Sequence, residues 1–439
     1  MASTFVNRNR SNLDDFLRDF GIQRSQLKEK LILANFGESL EAFSRETRIQ
    51  FTGIEFGFSA ETADHYVQVY CKASPPRDFA QMPEWRKINK PDGRDFWQFV
   101  PAGGRDSKPV EILFEASQNL TLDAIVGACV WTYDGETRQQ MTHPFVIEVN
   151  NEKWGVTVGH GFYEESSTSE LNSVSYCLPD SPTEDCNDCT NDHCKILCFE
   201  KTDQDRVIVI SGKNDIVTFN PFKSGGNPED QIYSLPEGKK KWDPMNSLWI
   251  DCGVFKIPND NPKVKVRPLK VSSVLEDPSV LDELAGKNAY AHKVVTSLGA
   301  VGTEPLSLWM LYLGIAMAKI NERDTILFKK GAITGWTFGK LLGATDIRVQ
   351  ATHIGPAPDQ GDCGAIWWII DVGDFTNSGQ LLDTVTAYPL GYHEAHDDQM
   401  DVSYFPTYHA ALGKLAATEG TKEQFQNYKI FANDSYVWV

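Results

Sequence analysis

The chain of 439 residues lacks an apolar run long enough to cross a bilayer. Its longest, "LSLWMLYLGIAMAKI", falls short of the ~20 residues a spanning helix needs and predicts a buried helix instead. It also lacks an excess of positive charge. With Lys+Arg at 42 against Asp+Glu at 60, the net charge is -18. That balance argues against a nucleic-acid partner, which needs a basic footprint, and against adhesion to anionic membranes. The opening "MASTFVNRNRSNLDDFLRDF" has no apolar core of signal-peptide type, so a soluble, cytoplasmic protein is expected. Cysteine is sparse, with nine in the whole chain. In a reducing compartment these are expected to be free, metal-bound or catalytic rather than disulfide-paired. No internal repeat is evident, and the only low-complexity piece is the Cys/Asp/Asn-rich stretch 180–198.

Apolar material is plentiful: 41% hydrophobic and 11% aromatic residues, enough for the cores of two or three folding units. "SNLDDFLRDFGI" places Leu13, Phe16, Leu17 and Phe20 on one helical face, with Ser11 as its expected N-cap. "RSQLKEKLILANFGESLEAFSRE" continues the pattern, and Gly37 is the expected break. Residues 1–121 form a mixed α/β N-terminal segment, available to a regulatory partner. From about residue 124 the pattern changes to short β-branched and aromatic runs between turn-formers, as in an antiparallel sandwich or barrel. Helical patterns return over about 275–323. Strands follow in "TILFKKGAITGWTFGKLLG", "IRVQATHI" and "GAIWWIIDV", and "YFPTYHAALGKLAA" predicts a closing helix.

Chemistry concentrates around "GDCG", residues 361–364. A structural thiol does not need a frame of two glycines and an aspartate, whereas a nucleophile on a tight turn does. Unobstructed N–H groups of Gly361 and Cys363 would suit an oxyanion, at about 3 kcal/mol per donor. A thiol attacks as thiolate and needs an imidazole beside it. His160 supplies a candidate at the end of the hairpin "HPFVIEVNNEKWGVTVGH", which turns on Asn-Asn. Asp251 interrupts the apolar strand "SLWIDCGVFKI", where a carboxylate is costly unless it accepts a strong hydrogen bond such as an imidazole N–H.

His160, Asp251 and Cys363, in that order and within "GHGF", "DCGVFKI" and "GDCGA", resemble the trypsin/chymotrypsin-like proteases, whose nucleophile frame is GDSG. A cysteine there is similar to the picornavirus-type cysteine proteases. "FKKGAITGWTFGKLLG" resembles the G-x-T-x-G hairpin of the second barrel, and "YFPTYHAALGKL" the C-terminal helix. The resemblance spans about residues 122–418 and leaves 419–439 as a tail. It implies a mainly β, double antiparallel β-barrel with a Cys-rich insertion near 165–200, a helical insertion near 275–323 and an α/β N-terminal extension. The implied activity is an endopeptidase acting on protein or peptide substrates without a cofactor, through a Cys-His-Asp triad and a thioester acyl-enzyme. A catalytically inactive scaffold of the same fold is the alternative.

The resemblance also implies where specificity lies. Ala357 stands where trypsin-like enzymes place a pocket aspartate, so cleavage after Lys or Arg is not expected. His393, in "LGYH", is similar to the G-x-H element that holds a polar or acidic P1 side chain, or else belongs to a solvated loop, "HEAHDD". In that loop His396, Asp397 and Asp398 are either metal ligands or charged surface. Cys186, Cys189, Cys194 and Cys198, with His193 nearby, have spacings that fit a small structural zinc loop, a set of reduced thiols or a redox pair.

Overall fold

The computed structural model describes residues 10–71, 73–76, 82–89, 94–100, 109–116, 120–122, 130–133, 138–141, 145–158, 173–177, 195–200, 207–209, 218–219, 232–233, 252–257, 265–268, 277–302, 304–331, 334–345, 347–358, 362–370, 381–398, 400–417, 428–431 and 433–437. They are mainly β. None of their helices is long and apolar enough to cross a membrane.

Two helices come first, α1 (Arg10–Leu33) and α2 (Phe36–Thr47). The expected cap and break are both displaced. Ser11 lies inside α1, and the helix runs on through Gly21. The break falls at Asn35, whose φ of 52° is left-handed, while Gly37 sits within α2. Asparagine tolerates that conformation because its short polar side chain bonds locally, so it can end a helix as glycine does.

Six strands follow: β1 (Phe51–Ser59), β2 (His65–Cys71), β3 (Trp85–Asn89), β4 (Asp95–Phe99), β5 (Val110–Ala116) and β6 (Leu120–Leu122). A separate five-stranded sheet, in the order β9-β10-β8-β7-β19, contains β7 (Phe145–Val149), β8 (Glu152–Thr157), β9 (Val207–Val209), β10 (Gly253–Ile257) and β19 (Tyr428–Phe431). The β7–β8 hairpin turns where expected, on Asn150 and Asn151, with φ of 52° and 64°. Two positive φ values in a two-residue loop give a turn whose twist matches the flanking strands.

Three helices occupy the next apolar stretch: α3 (Pro278–Lys287), α4 (Ala289–Thr296) and α5 (Leu308–Ile320). Asp277, Asn288 and Ser307 cap their N-termini by accepting backbone N–H bonds. Beyond β11 (Leu298–Val301) come β12 (Ile326–Gly331), β13 (Gly335–Thr345), β14 (Arg348–Ile354), β15 (Ile366–Ile370), β16 (Val385–Tyr392), β17 (Ala395–Asp397), β18 (Val402–Pro406) and helix α6 (Tyr408–Ala417).

These strands and those of the N-terminal segment share one 14-stranded sheet, with the main path β11-β16-β15-β12-β13-β1-β2-β5-β4-β3. The joint is β1 against β13, at Gly57–Ser59 and Gly343–Thr345. A branch leaves β13 through β14, β18 and β17 to β6. It starts where β13 has a register irregularity at Leu341/Gly343 against β14; such bulges bend a strand and increase its twist.

One core cluster packs α2 residues Phe36, Leu40 and Phe43 on Trp85, Trp97 and Phe114 of β3, β4 and β5. A second joins Phe20 of α1 and Tyr312 of α5, stacked with centroids 4.7 Å apart, to Leu327, Leu341, Trp367 and Phe405. Each such side chain contributes roughly 1.5–3 kcal/mol on burial. All five residues of β15, "IWWII", are buried, which makes it a rigid base for the turn that precedes it.

Candidate active site and its neighbouring histidine corner

The turn begins at Asp362. Ala365 N–H donates to the Asp362 carbonyl at 2.9 Å, and Gly364, with φ of 84°, occupies a conformation that a side chain would strain. Gly364 N–H also donates to the His393 carbonyl at 2.9 Å, and His393 N–H to the Ala365 carbonyl at 2.8 Å. The turn ahead of β15 is thus tied to the segment after β16.

Beneath it the Asp362 carboxylate accepts from Lys329 Nζ at 2.5 Å, from the Thr334 hydroxyl at 2.5 Å and from the Thr334 N–H at 3.3 Å. Lys329 and Asp362 are both fully buried. Burial pushes the Asp362 carboxyl up, but the Lys329 ammonium and the Thr334 hydroxyl outweigh it and hold the group below its ordinary range. The room for this contact comes from Gly331, where any Cβ would overlap the Asp362 carboxylate.

Lys329 and Thr334 carry this arrangement and were not singled out by sequence reasoning. The available signal is the pair Lys329-Lys330 inside an apolar strand. Strand alternation sends successive side chains to opposite faces, so one lysine of the two must point inward. Lys329 is the buried one and Lys330 the exposed one.

Cys363 is 0% exposed, and its thiol donates to the Glu394 carbonyl at 3.3 Å. The Glu394 side chain makes a two-pronged contact with buried Arg348, Nε to Oε2 and a terminal nitrogen to Oε1, each at 3.2 Å. Of the other residues proposed for the triad and oxyanion hole, His160, Asp251 and Gly361 lie outside the described residues. β8 ends at Thr157, three residues before His160, and β10 starts at Gly253, two after Asp251.

His393 is fully buried, so the solvated-loop alternative does not hold for it. Trp367 Nε1 donates to His393 Nδ1 at 3.4 Å, an assignment that leaves the ring proton on Nε2. Ala357 is exposed. Cys186, Cys189 and Cys194 lie outside the described residues, and Cys198 falls in the strand Lys195–Glu200.

His396 and Asp397 are buried on β17 rather than displayed on a charged surface, and Asp398 is exposed. Across the sheet branch from His396 stands His353 of β14, with ring centroids 5.2 Å apart. Sequence reasoning paired His396 with its chain neighbours and missed His353, for which no local signal exists. Burial first, then the neighbouring His396, Lys329 and His393, hold the His353 imidazole well below its usual range and therefore neutral.

No family model matches the chain, and no curated protein does. Among solved structures it is similar to Thermobifida fusca protease A, at 12% identity and a TM-score of 0.26, covering 70% of this chain and 98% of that one. It is also similar to Nocardiopsis protease, at 9% identity and a TM-score of 0.24, again over 70% and 98%. Similarity at these TM-scores does not establish a shared fold.

Proposed function

We propose that the chain is an endopeptidase of the double β-barrel type in which Cys363 is the nucleophile. The observation that carries this reading is the construction of the Asp362–Gly364 turn. A cysteine sits on a tight turn with a positive φ at the next residue, held from below by a buried ion pair. A lone core thiol needs none of that support. In this mechanism His160 takes the proton from Cys363 and Asp251 fixes the imidazole tautomer. The thiolate attacks the scissile carbonyl, the amides of Gly361 and Cys363 hold the oxyanion, and water then hydrolyses the thioester with His160 as base. No cofactor enters these steps. In this reading His393, at the position of the G-x-H element, selects a polar or acidic P1 side chain in a peptide or protein substrate.

One observation favours a second reading, an inactive protease-like scaffold that binds a partner. The Cys363 thiol is sealed from solvent and donates to a carbonyl. A carbonyl acceptor stabilises the thiol form and disfavours the thiolate. Iodoacetamide labelling followed by peptide mapping separates the two. An active nucleophile is alkylated at Cys363 far faster than buried Cys71 and Cys252, and His160→Ala slows it. Equal, slow labelling of all three supports the scaffold. Cys363→Ala should abolish cleavage of a peptide library while leaving the circular dichroism spectrum unchanged; cleavage at the wild-type rate would remove Cys363 from the mechanism.

A further inference from the structure

The sheet branch carries a cluster that the reading above does not use. His353 on β14, His396 on β17 and Asp401 in the turn between β17 and β18 each offer one ligand atom, all within 4.8 Å of one another. We propose that these three residues bind a divalent transition-metal ion of the zinc type.

Hydrogen-bonding arithmetic comes first. His353 Nε2 is engaged with the Ser403 hydroxyl at 2.8 Å, whereas its Nδ1 is buried with no hydrogen-bond partner among the described residues. A metal-bound imidazole has the same pattern: one nitrogen holds an orienting partner and the other is kept for the ion. The imidazole of His396 is 2% exposed; its Nδ1 is unpartnered, and its Nε2, the nitrogen nearest the Asp398 and Asp401 carboxylates, is the atom an ion would take. Neighbouring imidazoles, one half-buried and one buried, that each keep a buried unsatisfied nitrogen are costly unless something binds there.

The spacing points the same way. His396 Nε2 lies 3.8 Å from Asp401 Oδ1 and 3.7 Å from Asp398 Oδ1. Both distances exceed a hydrogen bond, yet they are close to the roughly 3.4 Å between two ligand atoms on one tetrahedral zinc with bonds of 2.0–2.1 Å. Charge agrees as well. Two carboxylates, Asp398 and Asp401, stand at this corner, and Lys329, the cation whose field reaches His353, is neutralised by Asp362. Imidazole nitrogens with a carboxylate oxygen form a donor set that suits zinc, with water or Asp398 in the remaining position. Asp398 and Asp401 are 73% and 60% exposed, so an ion has an open approach.

The test uses the full chain, stripped with a chelator and titrated with Zn2+ or Co2+ alone. It is read by bound-metal stoichiometry and by the visible absorption of Co2+. To remove any contribution of the Cys-rich stretch, all measurements are made in a Cys186→Ser/Cys189→Ser background. One equivalent is expected to bind, with a visible Co2+ band and no thiolate charge-transfer band. His353→Gln/His396→Gln should lose that equivalent. Asp401→Asn, an exposed change that spares the fold, should weaken affinity at least about tenfold. The assignment is overturned if the background protein binds no ion, if the double-histidine variant binds as tightly as its parent, or if Asp401→Asn leaves affinity unchanged. Should the double-histidine variant fail to fold, the Asp401 result decides.

Discussion

The Asp362 turn and the His353–His396 corner belong to the same sheet, yet they treat buried polar groups in opposite ways. At the turn, the Asp362 carboxylate has an ammonium, a hydroxyl and an amide around it, and the backbone is tied to His393 from both sides. At the corner two imidazole nitrogens are left without partners. A closed set of bonds makes a scaffold that holds one geometry. An open set makes a place where something arrives. The thiol of Cys363 stands on the closed side, so any catalytic work there must first release it from the Glu394 carbonyl.

The contrast is broken most severely by removing one partner of the closed set. Lys329→Met leaves a buried carboxylate uncompensated and should cost about 3–5 kcal/mol in urea unfolding. A loss under 1 kcal/mol would mean that the pair is solvated in solution. A buried carboxylate that accepts from the Gln68 side-chain amide but has no ammonium beside it shows the other extreme. Burial raises the Glu115 carboxyl from its ordinary 4.5 to about 8, while Arg348 opposes the shift. The folded state therefore keeps a proton that the unfolded chain releases above about 4.5, so stability from this group is fully present below that pH and falls as pH rises toward 8. Relative to Glu115→Gln, wild type should lose about 3 kcal/mol between pH 4.5 and 7; parallel stability–pH curves for the two proteins would refute the shift.

Smaller effects sharpen the comparison. Gly331→Ala should cost about 1–3 kcal/mol, because the carboxylate it meets is clamped and cannot move aside. A melting temperature equal to wild type would show that the turn gives way. At the open corner, His353→Gln without added metal should change stability by less than about 1 kcal/mol, since it removes an imidazole whose Nδ1 is unsatisfied. A large loss there would mean that the corner is already closed in the apo protein.

Much of the local structure was legible in advance because it depends on neighbours in the chain. The Asn150-Asn151 turn, the hairpin ending at Gly331 and Gly335, the apolar helix at Leu308–Ile320 and the helix after "YFP" all stand where their patterns put them. The cap at Ser11 and the break at Gly37 did not, because an asparagine two residues earlier takes the left-handed position and the helix has no reason to start at Ser11. The candidate site was legible only in part. "GDCG" announces a turn, but nothing near it announces Lys329, Thr334 or Glu394.

The amino-acid order alone determined the periodicities, the turn residues and the negative charge, because each acts over a few residues or over the whole surface. Tertiary structure alone decided which of Lys329 and Lys330 is buried, which carbonyl receives the Cys363 thiol, and that His353 meets His396. Those outcomes depend on β12, β14 and the segment after β16 being brought together by sheet pairing. The free energy of a buried charge or an unpaired imidazole is set by neighbours tens of residues away along the chain.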